Sequence, residues 1–501
     1  MKNICICALV ILLGLSSCSD WLNVDPKTSI PKDKLFESQA GFKDALTGIY
    51  LKMGTVGLYA GELTYGYVDG LAGLYSNYPG VEDDPTLHNQ KILFDYENKM
   101  KDKKNTIYNN LYNIIVNINS LLEQTEKRRD VLRTKGYYEL FRGEALGLRA
   151  FLHFDLLRLF GPIYQKNPKE KAIAYRTNFD KTPTPILSAE EVVSLILKDL
   201  LEAEALLAKS DSQVFFINHS GEEYAEMDPF LASREYRMNL IAVKAMLARV
   251  YCYKGDEQSK SKAVTYAREV IDNKNFTLYT AQSLADYNSI RYGEQIFGLS
   301  VDQLWDLLDK NNMKMEETNI QRGFVVSNER FTQFYERDGL GSTDWRKNPE
   351  MFEQSRGSNI YFFCRKYNQK PLSSETGLNT IPLIRLPEMY YIVAECEKDP
   401  TASVEALNVV RFARGISYGD AISTEKYDDV DQSSKEAPSQ TKRINEIMKE
   451  VRKEYFAEGQ LFYYLKAHNY SYYYGCGVKE MTDKEYQISI PDNEKIFGNN
   501  L

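Results

Sequence analysis

Lys135–Ile163 reads KGYYELFRGEALGLRAFLHFDLLRLFGPI. Phe141, Ala145, Leu148, Leu152, Leu156 and Leu159 recur at steps of 4, 3, 4, 4 and 3, the period of one helix face. Leu140, Ala150, Phe151, Phe154 and Leu157 widen that stripe. The spacing therefore predicts a helix buried against other helices on most of its surface. Gly161-Pro162 ends it, because Pro cannot continue a helix and Gly supplies a cheap exit. Arg142, Glu144, Arg149, His153, Asp155 and Arg158 are polar positions within it. Charges that close to a core are expected to be paired.

Other segments share the period. Phe42, Ala45, Leu46, Ile49 and Tyr50 form one helix face, and Ile107, Leu111, Ile114, Ile115, Ile118 and Leu121 form another. Ser188 and Glu191 make a capping box that opens a helix to about Lys209. Residues 240–271 read as a helical hairpin: Ala245, Ala248 and Tyr251, a Gly255-Asp256 turn, then Ala263, Tyr266 and Ala267. Leu386–Gly415 reads as a second. Small residues allow close helix approach, so both hairpins are of tetratricopeptide type. Their spacing is irregular, which implies a repeat scaffold with long insertions. The expected fold is all-α: a tetratricopeptide-like superhelix (about 99–273 and 386–468) with loop-rich insertions (about 55–98 and 274–385).

The 501 residues are 43% hydrophobic and 26% charged, enough for a large core. The net charge is -8 with no strongly basic run, which argues against a nucleic-acid partner. The chain has 36 Tyr against 3 Trp. Tyr suits both recognition surfaces and packing between helices. Residues 57–85, GLYAGELTYGYVDGLAGLYSNYPGVEDDP, read as loop. They carry Tyr65, Tyr67, Tyr75 and Tyr78 beside Asp69 and Asn77. Flat rings next to amide and carboxylate groups suit a sugar, with the ring on the apolar face and polar groups on the hydroxyls. The alternative is an irregular segment whose tyrosines pack on the body. In the second insertion Tyr292, Trp305 and Trp345 are the candidates for ring stacking.

No catalytic constellation emerges. Gly415-Ile-Ser-Tyr-Gly419 fits G-x-S-x-G but follows a helix, so the strand-to-helix elbow is missing. His88, His153, His219 and His468 show no paired metal spacing. No cofactor motif or metal-ligand set stands out, and no carboxylate pair is singled out for glycoside hydrolysis. Glu82-Asp83-Asp84 and Asp338–Asp344 depart from the EF-hand pattern and read as solvated acidic loops.

GEALGLRAFLHFDLLRLFGP strongly resembles the central helix of the SusD/RagB family. Four further segments resemble the same family. They are CSDWLNVDPKTSIPKDKLFESQAGFKDALTGIYLKM from Cys18, IPLIRLPEMYY from Ile381, KEVRKEYFAEGQLFYYLK from Lys449, and the closing ISIPDNEKIFGNNL. Glu450, Arg452, Glu454, Glu458 and Gly459 match the family pattern, while Leu461 and Tyr464 depart from its usual Arg and Asp. The resemblance implies a non-catalytic outer-membrane lipoprotein. It would bind a nutrient oligosaccharide and deliver it to a SusC-like TonB-dependent transporter, with a peptide cargo as the alternative and a surface hydrolase as a more distant one. It implies ligand contacts in both insertions. It also places Asp344-Trp345-Arg346 on a structural Asp-x-Arg signature, which gives Trp345 a competing role.

The N-terminus fits that picture. Lys2 and the short apolar run Ile4–Leu15 read as a signal peptide over residues 1–17, too short to span a bilayer. Leu15-Ser16-Ser17-Cys18 resembles a lipobox, so Cys18 is the expected lipid anchor to the membrane and residues 18–501 the mature domain. Cys252, Cys364, Cys396 and Cys476 remain, without CxxC or metal spacing. Cys252 and Cys396 fall in apolar helical patterns and are expected as buried thiols.

Overall fold

The computed structural model describes residues 32–76, 90–211, 228–280, 292–311, 313–317, 324–336, 343–349, 351–367 and 379–497. Ten helices carry the frame: α1 Gln39–Met53, α2 Lys101–Lys127, α3 Tyr137–Phe160, α4 Ala189–Ser210, α5 Leu240–Lys254, α6 Glu257–Ile271, α7 Leu386–Cys396, α8 Pro400–Ala413, α9 Lys442–Glu454 and α10 Leu461–Ala467. The quoted stretch is α3. Nearly all its side chains are buried, and it packs along α2 and α4. Gly143 and Gly147 make the close approach possible. A Cβ there would sit 2.7 Å from Leu207 Cγ on α4 and 2.6 Å from Met238 Cγ.

The polar residues of α3 are paired, as its burial requires. Arg142 bonds Glu202, Arg149 holds Asp199 at 2.6 and 2.8 Å, and Arg158 holds Asp155. Glu144 accepts from Arg234 and Arg237. His153 is fully buried; its Nδ1 lies 2.8 Å from the Arg149 carbonyl and its Nε2 accepts from the Arg176 amide at 3.0 Å. That geometry suits the neutral ring, and burial pulls its pKa down to about 3.

The two hairpins form as the spacing predicts. Asn239 caps α5 through the Ala242 amide, Gly255 adopts φ 73° after it, and Asp256 caps α6 through the Ser259 amide. Pro387 and Pro400 lie in the first turns of α7 and α8, where a missing N–H costs nothing. The Ser188–Glu191 capping box is present at α4. No helix among the described residues is long and apolar enough to cross a membrane.

The fold is mainly helical, and the described residues add seven short strands that the periodicity does not reveal. These are β1 Lys171–Ala174, β2 Ile186–Ser188, β3 Gln295–Ser300, β4 Val326–Ser327, β5 Phe352–Gln354, β6 Tyr361–Cys364 and β7 Thr380–Arg385. β1 pairs with β2, β3 with β7, and β6 lies between β4 and β5, all antiparallel. Five of the seven belong to the 274–385 insertion. One hydrophobic cluster runs from Phe36 to Ile488 through both frame and insertion.

Candidate ligand-binding site

The described residues of the first insertion do not form an open loop. Residues 57–76 wind through tight turns and the short helix Tyr67–Leu71, and they are buried almost throughout. Asp69 pins the winding: its carboxylate accepts from the amides of Ala457 at 2.7 Å and Gly459 at 3.0 Å. Burial raises the Asp69 pKa well above the carboxylate range, against the pull of those amides and Lys366. Arg330 adds a second tie by donating to the carbonyls of Gly73 and Tyr75.

This winding overturns three of the expected contacts. Tyr65, Tyr67 and Tyr75 are fully buried, with no ring face left for a ligand. Tyr65 and Tyr75 pack on Phe324 with centroids at 5.6 and 5.5 Å, and Tyr65 on Tyr367 at 5.1 Å. Each hydroxyl donates to a backbone carbonyl: Tyr65 to Ala60, Tyr67 to Leu93, Tyr75 to Tyr65. The alternative of tyrosines packed on the body is the one these residues adopt. Asn77 and Tyr78 lie outside the described residues, as does Cys18.

Trp345 is also corrected. Only 2% exposed, it donates from Nε1 to the Ala413 carbonyl at 2.9 Å and lies over Arg414, 5.2 Å from the guanidinium. Its neighbours explain why. Asp344 and Arg346 belong to a buried ion network with Glu450, Glu454, Arg385, Arg414, Glu294 and Glu458. Glu454 accepts from Arg385 and Arg414 on one oxygen, and from Arg346 and Arg414 on the other. Burial opposes ionisation of Glu450, yet Arg346, Lys453 and Arg411 hold its carboxyl below the usual range. These carboxylates have no solvent access and act as structural counter-ions.

Trp305 has a different environment. It is half-buried on the helix Leu304–Lys310, whose Leu304 and Leu308 anchor it to the core. Asn379 fixes the start of that helix: its side chain accepts from the Leu304 amide at 3.1 Å, and its carbonyl accepts from Val301 at 2.7 Å. Lys314 Nζ lies 3.7 Å from the Trp305 ring centroid and 3.0 Å from Asp309. Tyr292 stands in the turn that opens β3, and its side chain lies outside the described residues. Trp305 is thus the expected stacking residue that remains at the surface among those with described side chains.

Sequence reading missed a cavity of about 530 Å³ in the frame. It lies between α5, α7, α9 and α10, with Phe154 and Arg158 of α3 in its wall. The signal was in hand, since the hairpins and the KEYFAEGQLFYYLK run supply most of the lining. The periodicity alone marks those residues as scaffold. Gly415–Gly419 is a turn in which the Ser417 hydroxyl accepts from the Gly419 amide at 3.2 Å.

Fold and site together describe a helical-repeat protein in which inserted segments are laid over a core that holds a buried ion network. Comparison with known proteins agrees. A family model described as starch-binding associating with outer membrane matches residues 20–221. The SusD family model matches residues 287–490. The chain belongs to the SusD/RagB family. A curated relative, a SusD-like protein from Formosa agariphila, is 26% identical over 56% of this chain and 47% of its own length. The match thus spans about half of that relative. A SusD superfamily protein from Bacteroides thetaiotaomicron superposes with a TM-score of 0.67 at 20% identity, covering 92% of this chain and 98% of that one. A SusD-like carbohydrate binding protein from Bacteroides vulgatus gives 0.67 at 18%, covering 93% and 97%. At these identities the superpositions speak for the fold.

Proposed function

We propose that this protein captures an oligosaccharide at the cell surface and hands it to a partner TonB-dependent, SusC-like outer-membrane transporter, without catalysing a reaction. The observation that carries the reading is the pair of family matches, 20–221 and 287–490, one of them described as starch-binding and outer-membrane-associated. Anchorage through lipidated Cys18 belongs to the same reading. Binding rests on stacking of a sugar ring against Trp305, with polar contacts from neighbouring residues. The ion-paired carboxylates of the buried network, Glu294, Glu450, Glu454 and Glu458, support a role without chemistry.

The test is titration with a glycan panel while Trp fluorescence is followed. Quenching by one oligosaccharide, weakened at least tenfold in Trp305→Ala, supports the reading. That loss corresponds to about 1.4 kcal/mol. A flat response to every glycan, with a response to peptides, sinks the saccharide assignment. Release of shortened products during incubation sinks the non-catalytic one. Anchorage is checked separately: labelled palmitate should enter the wild-type chain and fail to enter Cys18→Ala.

A further inference from the structure

The frame cavity has none of its walls in the 274–385 insertion, so it is separate from the Trp305 surface. Its volume of about 530 Å³ falls within the ~300–1,000 Å³ of small-ligand sites. Rings from Phe154, Tyr253, Tyr391, Tyr455, Tyr463 and Tyr464 line it. Between them stand charged groups already in pairs. Arg249 bonds Glu388 at 2.5 and 2.6 Å, and Arg443 bonds Asp428 at 2.6 and 3.0 Å. His468 Nε2 lies 3.2 Å from Glu395 and Lys398 lies 3.0 Å from Glu257. A wall of paired charges has no excess of either sign to attract an ion. It does present donors and acceptors side by side at fixed positions.

Arg158 Nε, Tyr253 Oη, Tyr391 Oη and Tyr455 Oη lack hydrogen-bond partners in the structure, and all four residues belong to the cavity wall. Those four atoms are sealed behind the wall's surface, so the case for a guest rests on the volume, the rings and the paired charges that line the space.

Nucleophilic and metal roles fit the wall poorly. Cys252 and Cys396 both face this region, and hydrogen bonding to Cys396, burial and the nearby Glu395 carboxylate keep the Cys252 thiol protonated. A thiol in that state is a weak nucleophile and a poor ligand. Among the described residues no group of three or more His, Cys, Asp and Glu could hold a metal ion.

We infer that this cavity is a second binding site, for a neutral, polyhydroxylated ring compound of mono- or disaccharide size. Aromatic faces would cover the apolar faces of the guest. The Arg249–Glu388 and His468–Glu395 pairs and Gln460 would meet its hydroxyls, each pair offering both a donor and an acceptor. The site does not depend on Trp305, so it stands or falls apart from the surface site.

Occupancy is read by saturation-transfer NMR, since the protonated Cys252 thiol is a poor target for alkylation. The full chain carrying Trp305→Ala, and so lacking the surface stacking residue, is purified in a detergent without a sugar headgroup. Transfer to the protons of maltose or cellobiose at 20 mM is expected, and galacturonic acid should show none. Adding Gln460→Ala should weaken the transfer, and adding Ala467→Trp, which fills the space from α10, should abolish it. No transfer to either disaccharide in the Trp305→Ala protein would overturn the assignment. So would transfer unchanged by Ala467→Trp, or transfer to the acidic sugar alone.

Discussion

The helical frame and the inserted segments solve the same problem in different ways. In the frame, backbone groups pair within helices, and the buried polar residues are mostly Arg, Glu and Asp that pair with each other. In the inserted segments the backbone is irregular, and its carbonyls need other partners. Tyrosine supplies many of them. Tyr65, Tyr67, Tyr75, Tyr96, Tyr367 and Tyr473 each send a hydroxyl to a main-chain carbonyl, often far away in sequence. The ring fills core volume and the hydroxyl satisfies the loop. An abundance of Tyr in a loop-rich protein is therefore also a sign of buried irregular backbone, and not of a binding surface alone.

The largest effects are expected where paired charges hold frame and insertion together. Glu454→Gln leaves Arg346, Arg385 and Arg414 undercompensated in a buried site. It should cost about 3–5 kcal/mol, read from urea unfolding. Trp345→Ala should cost a similar amount, about 3–5 kcal/mol, by emptying a packed position. A Trp345→Ala protein that kept its stability and lost glycan binding would restore the ligand role that the structure denies it.

The next effect separates the two solutions directly. Tyr75→Phe keeps the ring and removes the donor to the Tyr65 carbonyl. It should cost about 1–3 kcal/mol while glycan affinity stays within twofold. Loss of affinity with unchanged stability would show that the residue faces a ligand after all.

How legible was this in the sequence? The frame was readable because helix periodicity, caps and stop signals are local. α3, the Ser188–Glu191 box and the Gly255 turn all stand where the spacing puts them. The paired charges of α3 were also foreseeable, since few other arrangements tolerate them. The inserted segments were less readable because their burial depends on distant partners. Asp69 closes its turn on Ala457 and Gly459, nearly four hundred residues away, and no local pattern encodes that. Trp345 shows the limit well: its composition suggested stacking, while the adjacent Asp344 and Arg346 carried the structural message.

A pH experiment probes the frame alone. The His153 ring has an ordinary pKa near 6.5, and burial takes it to about 3 in the fold. Between those values the unfolded chain binds one more proton than the folded one. Stability therefore falls as pH drops from 6.5 toward 3, by about 1.4 kcal/mol per unit from this group. In His153→Gln the slope of stability between pH 6 and 4.5 should be shallower than wild type by that amount. Equal slopes would mean that the ring is solvated or charged in the native state.

The smallest expected change in stability is at Trp305, and its smallness is what makes the comparison decisive. Trp305 and Trp345 lie in the same insertion, yet one is half-buried and the other nearly inaccessible. Removing the Trp305 ring forfeits the contact with Lys314, worth about 0.5–1 kcal/mol at a partly exposed site. Leu304 and Leu308 continue to hold the helix, and Asn379 continues to cap it. Trp305→Ala should therefore cost less than Trp345→Ala, about 1–2 kcal/mol once the partly buried ring surface is included, whereas its oligosaccharide affinity falls at least tenfold. Trp305→Phe keeps a flat face and should recover part of that affinity. A Trp305→Ala protein destabilised as much as Trp345→Ala would place both tryptophans in the core, and the ligand surface of this insertion would have to be sought elsewhere.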